Sequence, residues 1–455
     1  MHRRFTRQLR LNCSAREAFG WHGGEGVVQR LTPPWVAFDN LRRQGGLEKG
    51  ATTSLTLKAG PLPVRWHSVH TACDPGRGFT DTMVRGPFAF FEHTHRLDED
   101  QGGCLLTDSI RYSLPFAAAS HPVAGALVDK ELARMFRYRH AITARDMASR
   151  LAATGEPSLT FAVSGAAGII GSALVPWLKS QGHQVMPLVR GRAAGPCEIA
   201  WDPVGGTLEE EKLKGCDVLI HLAGENIGNG RWTAEKRERI IRSRVDGTSL
   251  LARAVSRLEG GPRLFLSASA VGFYGNRGDD TVTESAPCGG SYVSEVCRLW
   301  EEAAEANWTH PSGRLVTLRI GVVLTPAGGA LARLRPVFKA GLGGTFGSGE
   351  QYMSWVSMED VLGAVDHILR TPTIEGPVNL TAPHPVTNRA FARILASSLN
   401  RCAFTTLPSA AITCAFGEMG REVLLEGVKA LPGVLEQSGY GFVHPTLADA
   451  LSEVL

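Results

Sequence analysis

The sequence predicts an α/β chain whose larger part is a doubly wound parallel sheet, preceded by a smaller α+β module. Three observations carry this. The stretch 158–171, Ser-Leu-Thr-Phe-Ala-Val-Ser-Gly-Ala-Ala-Gly-Ile-Ile-Gly, runs a short apolar strand into glycines spaced G-x-x-G-x-x-G and then into a helical pattern. From Leu159 onward apolar strands alternate with helical stretches, the order that builds parallel sheets. Near residue 150 a helical pattern ending in Asp146-Met147-Ala148-Ser149-Arg150 gives way to Ala-Ala-Thr-Gly-Glu-Pro. A boundary there divides the 455 residues into modules 1–150 and 158–455, in keeping with a length prior of roughly two to three domains.

The first module reads as strands closed by a helix. Phe5, Arg7, Leu9 and Leu11 alternate with their neighbours, Ser54 to Lys58 alternates again, and Phe88–Leu97 and Cys104–Leu114 are further extended candidates. Ser14 is a plausible N-cap for a helix carrying Ala15, Ala18 and Phe19. A second helix spans about Pro122–Met147, with Val123, Leu127, Leu132, Met135 and Phe136 at helical spacings. A sheet wrapped around one long terminal helix buries both apolar faces. His93 and His95 share a strand face at a spacing that a metal pair has. With no third ligand nearby in sequence, they are read as a solvated or cavity-edge face, and no metal is expected.

In the second module the strands are Leu159–Ser164, Gln184–Arg190, Asp217–Gly224, Arg263–Ser269 and Leu315–Ile320, with a first helix over Ala173–Leu178. Such a series is a Rossmann-type sheet. Glycine at 165, 168 and 171 lets the chain turn tightly and bring backbone N–H groups to a pyrophosphate, whose charge the following helix N-terminus stabilises. The cofactor loop is therefore Gly165, Ala167, Gly168, Ile169, Ile170 and Gly171. The second strand ends in Arg190-Gly191-Arg192, where an acidic residue would select NAD; arginine selects the 2′-phosphate of NADP, unless the loop is merely an exposed cationic turn.

Charge is nearly balanced, 48 Lys and Arg against 44 Asp and Glu, which calls for neither nucleic acid nor an anionic membrane and leaves a small-molecule substrate as the expected partner. Nine cysteines without a C-x-x-C pattern fit isolated reduced thiols and a cytoplasmic location. The basic start, Met1-His2-Arg3-Arg4, leads into no apolar h-region and no apolar run reaches spanning length, so neither export nor a membrane segment is expected.

Arg30-Leu31-Thr32-Pro33-Pro34-Trp35, Phe91-Glu92-His93-Thr94-His95 and Arg134–His140 resemble the helix-grip fold of the START and polyketide-cyclase-like superfamily, in the form fused to epimerase-like proteins. That resemblance implies a hydrophobic ligand held between sheet and helix. Gly165–Gly171, Leu222-Ala223-Gly224-Glu225-Asn226-Ile227 with Arg231-Trp232, Ser243–Thr248, Ser267–Gly275, Arg421–Leu425 and Tyr440–Leu451 resemble the atypical extended short-chain dehydrogenase/reductase group of NAD(P)-dependent epimerase/dehydratase-like proteins. This implies an oxidoreductase or epimerase moving hydride between nicotinamide and a small substrate. It also implies that Leu222, Ala223 and Glu225 lie along the cofactor and that Ser269 faces the nicotinamide. For Glu225 a helix-capping or Arg231-pairing role stands equally, and Trp232 is either a cleft wall or a buried aromatic anchor.

One departure from ordinary short-chain dehydrogenases concerns their Tyr-x-x-x-Lys, in which lysine lowers the tyrosine pKa. Four residues beyond the six tyrosines stand Phe116, Ile142, Gly278, Val296, Val356 and His444. Alignment on Glu301 puts Val293 and Cys297 at the two positions, and Cys297 reads as a small core residue. Ser269 and Tyr292 remain the proton-handling candidates, although a phenol near its reference pKa of about 10 is a poor base at neutral pH. The same absence motivates a non-catalytic alternative, in which NADP(H) binding reports redox state to the ligand-carrying first module. The glycine-rich stretch 328–349 is expected to supply a flexible lid, and 374–455 a substrate-facing subdomain.

Overall fold

The computed structural model describes residues 2–59 and 62–455, at backbone level only for 59 and 117–123. Met1 and the side chains of Pro122 and Val123, counted in the patterns above, lie outside the described residues. Contacts divide the chain into two compact units: residues up to Ser158 with Pro176–Gly182, and Leu159–Val175 with His183–Leu455.

The first unit is one seven-stranded antiparallel sheet. Its strands are β1 (Arg3–Leu11), β2 (Phe38–Gln44), β3 (Thr52–Ala59), β4 (Leu62–Asp74), β5 (Gly78–Arg85), β6 (Phe90–Asp100) and β7 (Gly103–Ser113). They lie in the order β1-β7-β6-β5-β4-β3-β2. Helices α1 (Ala15–His22) and α2 (Val27–Leu31) follow β1, and α3 (Ala117–Ala152) closes the unit. Along β1 the inward residues are Phe5, Arg7, Leu9 and Leu11. At α1, Ser14 makes a capping box: the Glu17 N–H donates to its Oγ, 3.2 Å, and its own N–H donates to the Glu17 carboxylate, 2.8 Å.

Strands β4 and β5 escape the apolar-alternation test because polar side chains fill inward positions: Ser68, His70 and Asp81 all line a cavity between sheet and helix. Helix α3 is tied down by polar pairs as well as apolar packing. Tyr112 Oη donates to Asp129, 2.7 Å, His140 Nε2 meets Asp108 at 2.7 Å, and Arg30 grips Asp146 through two bonds of 2.9 Å. Between these ties Leu132 and Phe136 pack on Phe91, Ile110 and Tyr112.

The second unit carries a mixed, Rossmann-type sheet of eight strands. In chain order these begin with β8 (Thr160–Ser164), β9 (Gln184–Arg190), β10 (Ile199–Asp202), β11 (Thr207–Leu208), β12 (Val218–His221) and β13 (Leu264–Ala270). Arg314–Ile320 and Gly376–Leu380 complete the order β11-β10-β9-β8-β12-β13 followed by these two. Only the short β11 runs antiparallel. Helices α4 (Gly171–Ser180), whose residues from Pro176 onward group with the first unit, α5 (Ala234–Arg257) and α6 (Tyr292–Glu305) are among the crossovers between its strands. The chain leaves β8 toward β9 and later returns to pair β12 on the other side, so the order reverses at β8/β12. A ligand crevice is expected at such a switch point.

Two expectations are corrected, and two strands are added to those read from the sequence. Gly376–Leu380 is the far edge strand of the main sheet, not part of a separate subdomain; flanking Gly, Pro and Thr hide so short a run. The glycine-rich stretch holds a regular helix, Gly329–Lys339, and a strand, Gly344–Phe346, paired with Thr405–Leu407. Strands β10 and β11, two to four residues long, fall below the length that periodicity resolves.

A buried ionic network joins β13, α6 and Arg314–Ile320. Arg319 donates through Nε and Nη2 to the two Glu301 oxygens, 3.0 and 2.8 Å, and through Nη1 to Tyr274 Oη, 3.0 Å. Tyr274 Oη in turn donates to Asn379 Oδ1, 2.6 Å. Removing one member of a buried pair strands the other charge, which costs about 3–5 kcal/mol. Glu301→Ala is expected to lower the stability of this unit by that amount in urea unfolding; a loss below about 1 kcal/mol would count against the network's structural role.

Candidate functional site: a glycine cradle at the sheet switch point

Strand β8 stops at Ser164, which is buried and meets His221 Nδ1 through Oγ at 2.5 Å. The Leu222 N–H donates to the Ser164 carbonyl, 3.2 Å, binding the ends of β8 and β12 together. Gly165 then turns with φ +71°, and a Cβ there would stand 2.8 Å from the Leu222 carbonyl carbon. Gly168 N–H closes the loop onto Gly165 O, 2.9 Å, and a Cβ on Gly171 would stand 2.3 Å from that same oxygen. Two of the three glycines are thus required by backbone-to-backbone approach, and Gly165 by its positive φ as well. Ala167, Gly168 and Ile169 are exposed, Ile170 is half-buried, and α4 starts at Gly171, the N–H groups of Ser172, Ala173 and Leu174 bonding back to the Gly168 and Ile170 carbonyls. The opening is a positively polarised cradle of a width that only missing side chains allow.

Arg190 ends β9, the strand beside β8, and is exposed. Leu222 and Ala223 are half-buried where β12 gives out against Gly165. Glu225 is ion-paired, to Lys236 of α5, and that hydrogen bond holds its carboxyl below the usual range. Its N–H donates to Ser243 Oγ, 3.0 Å, and its carbonyl accepts from Arg244, 3.1 Å. The Arg231 pairing is not formed; Arg231 instead donates to the carbonyls of Cys414 and Ala415. Trp232 is half-buried, its ring 5.0 Å from that of Tyr292.

Ser269 and Tyr292 have other duties. Ser269 is buried on β13 and donates to Glu301, 2.6 Å, which joins it to the ionic network. Tyr292 opens α6; its Oη donates to the Arg237 carbonyl, 2.8 Å, and burial pushes the phenol above its ordinary pKa. Val293 packs against Gly272, where a Cβ would come within 2.4 Å of Cγ1, and burial pushes the Cys297 thiol up to about 12. Tyr292 lines an open cleft of about 680 Å³ with Arg237, Glu295, Glu418, Arg421 and Glu422. Glu422 receives the N–H groups of Tyr292 and Val293, 3.2 and 2.9 Å, so a carboxylate from the C-terminal segment caps α6.

Sequence reasoning missed Glu301, Arg319, Glu422 and Arg244. Arg244 lies 4.8 Å over the Trp300 ring, with Gly224 leaving room for it: a Cβ there would be 3.2 Å from its Cζ. Its place in Ser243-Arg244-Val245-Asp246-Gly247 marks a motif without disclosing that use.

The first unit holds a separate cavity of about 330 Å³, mostly apolar, with His22, His70, Asp81, His93, His95 and Arg139 among its lining. His93 and His95 are buried at 4% and 6% exposure, which corrects the solvated reading and leaves the cavity-edge one. Burial lowers both His22 and His95 to about 4.

Two predictions follow from the cradle. Gly171→Ala forces the loop apart, and dinucleotide affinity measured by calorimetry is expected to fall at least tenfold; wild-type affinity would contradict the packing. His221 is fully buried, and desolvation lowers its pKa to about 3. Below the unfolded value of about 6.5 the unfolded chain takes the proton first, so this contribution is complete above pH 6.5 and is lost as pH falls toward 3. The slope is about 1.4 kcal/mol per pH unit. Unfolding free energy between pH 6 and 4 is expected to fall less steeply in His221→Asn by that slope; an unchanged slope would contradict the assignment.

The comparisons agree with this geometry. The model of the NAD dependent epimerase/dehydratase family matches residues 161–380, and one described as a domain of unknown function, DUF1731, matches 407–454. An epimerase family protein of Mycobacterium tuberculosis is 41% identical over 291 residues, 64% of this chain and 95% of that protein. Human epimerase family protein SDR39U1 is 36% identical over 296 residues, 64% of this chain and 98% of its own. Among solved structures, the nucleoside-diphosphate sugar epimerase of Corynebacterium glutamicum superposes with TM-score 0.81 at 31% identity, covering 99% of this chain and 89% of that one. Human SDR39U1 with NADPH superposes with TM-score 0.61 at 34% identity, covering 65% and 99%. Similarity of this extent, on a glycine cradle at the switch point of a Rossmann-type sheet, shows that the chain belongs to the NAD-dependent epimerase/dehydratase family.

Proposed function

We propose that the protein binds NADP(H) at the Gly165–Gly171 cradle and acts as an oxidoreductase or epimerase of the extended short-chain dehydrogenase type on a small substrate. The observation that carries this is the cradle itself, whose backbone packing a Cβ at Gly165 or Gly171 would push apart and which opens at a helix N-terminus. Gly165, Ala167, Gly168, Ile169, Ile170 and Gly171 would hold the pyrophosphate, Arg190 the 2′-phosphate, and Leu222 and Ala223 would lie alongside. When bound, the nicotinamide supplies or accepts hydride. Human SDR39U1, similar over the second unit, is described with NADPH.

The chain's own residues limit the rest. Glu225 holds the α5 entry through Lys236 and so shapes the crevice without leaving a free carboxylate. Ser269 and Tyr292 donate their hydroxyl protons to Glu301 and to the Arg237 carbonyl, so either must exchange that partner to reach a substrate. In the cleft beside Tyr292 the guanidiniums of Arg237 and Arg421 are already engaged, with Glu418 at 2.9 Å and Glu426 at 3.2 Å. With Glu295 and Glu422 also present, the carboxylates outnumber the cations, and a diphosphate would be repelled. We therefore read an uncharged or cationic substrate rather than a nucleotide sugar.

The first unit is read as a helix-grip module: an antiparallel sheet and one long helix enclose an apolar cavity suited to a hydrophobic ligand. The committed hydroxyls also favour a second reading, NADP(H) binding without turnover. NADPH consumption over a panel of carbonyl compounds separates the two, turnover supporting the enzyme and tight but inert binding the sensor.

Calorimetric titration with NADPH and NADH tests the cofactor. Wild-type protein is expected to prefer NADPH, and Arg190→Ala to lose about tenfold toward NADPH alone, as one charge-assisted hydrogen-bond pair is worth about 1.5–3 kcal/mol. Equal affinities in both proteins would remove Arg190 from the site, and no binding would remove the dehydrogenase reading.

A further inference from the structure

We propose that Asp81, His93 and His95 form a binding site for a divalent transition-metal ion at the polar floor of the first unit's cavity. Asp81 of β5 stands directly opposite His93 of β6, and His95 lies two residues on along the same strand, so the three side chains share one sheet face. One ligand atom from each lies within 4.8 Å of those of the other two. No reading of spacing could find this trio, because the carboxylate comes from a neighbouring strand through sheet register.

The supporting shell is of the kind that metal-ligating histidines have. Asp108 of β7, directly opposite His95, has one oxygen 2.9 Å from His93 Nε2 and 2.8 Å from His95 Nδ1. Its other oxygen meets His140 Nε2 of α3 at 2.7 Å. With Nε2 turned to Asp108, His93 presents Nδ1 to Asp81 Oδ2, 3.6 Å away. The approach of His95 Nδ1 to Asp108 lacks hydrogen-bond geometry, which leaves that nitrogen buried without a hydrogen-bond partner. The rings are also held: His95 stacks on Phe79 with centroids 4.2 Å apart, and His93 meets the edge of Phe136 at 5.4 Å.

The charged surroundings are mixed: Asp81 lines the cavity together with Arg43 and Arg139, and Asp108 adds a second carboxylate through its contacts with His93 and His95. Two imidazoles and one carboxylate suit zinc or ferrous iron, and three protein ligands leave at least one position open toward the cavity. The open position would take water or a polar atom of a ligand whose apolar part fills the remaining space.

The test uses the full-length protein, freed of metal with a chelator and titrated with Zn²⁺ by calorimetry and with Co²⁺ by visible absorption. One equivalent is expected, with Co²⁺ giving d–d bands of a nitrogen- and oxygen-ligated ion. Asp81→Asn and His95→Gln are each expected to weaken binding at least tenfold, while NADPH affinity and circular dichroism stay as in the wild type. That control keeps a failed fold apart from a lost ligand. Replacing the exposed Cys197, Cys402 and Cys414 by serine is expected to leave the equivalent in place. Absence of binding would overturn the site, as would an equivalent unaffected by Asp81→Asn and His95→Gln or lost with the cysteines.

Discussion

The close approach of backbone to backbone at Gly165 is the constraint on which the second unit's site depends. Leu222 and Ala223 press against Gly165, and Gly171 presses back on Gly165 and Ala166. These contacts put the ends of β8 and β12 and the start of α4 at one point. The sheet order reverses there, so strand ends diverge and leave a crevice. Space for a charged group and the N–H groups to receive it arise from the same missing side chains.

Around that crevice, the polar side chains singled out from the sequence are engaged with other groups of the protein. Ser269 belongs to the Glu301–Arg319–Tyr274–Asn379 network, Glu225 to Lys236, and the α6 N-terminus to Glu422. A buried network is stable only when every member is paired. The residues that resemble catalytic groups therefore double as structural ones, and Tyr292 has a guanidinium beside it in place of the lysine of Tyr-x-x-x-Lys: Arg237 lies over the ring face at 4.0 Å, and its carbonyl accepts the hydroxyl.

Much of the architecture was legible because it is periodic. Strands β8, β9, β12 and β13 are apolar runs between turn residues, and the G-x-x-G-x-x-G loop has a single physical use in that context. In the first unit, strands with apolar inward faces, such as β1, could be read, whereas β4 and β5 could not, since their inward residues include Ser68, His70 and Asp81. The edge strand Gly376–Leu380 was hidden by its length and its proline. The site was legible only where it is local. Glu225 with Lys236, Ser269 with Glu301, and Asp81 with His93 meet through folding alone, and sequence separation carries no sign of it.

Whether a phosphorylated dinucleotide rests on the Gly165–Gly171 loop is decided by a crystal structure of the protein grown with saturating NADPH. Pyrophosphate oxygens are expected within hydrogen-bond distance of the loop's N–H groups, with the 2′-phosphate beside Arg190. A dinucleotide bound elsewhere, or a loop left empty at saturation, would overturn that placement.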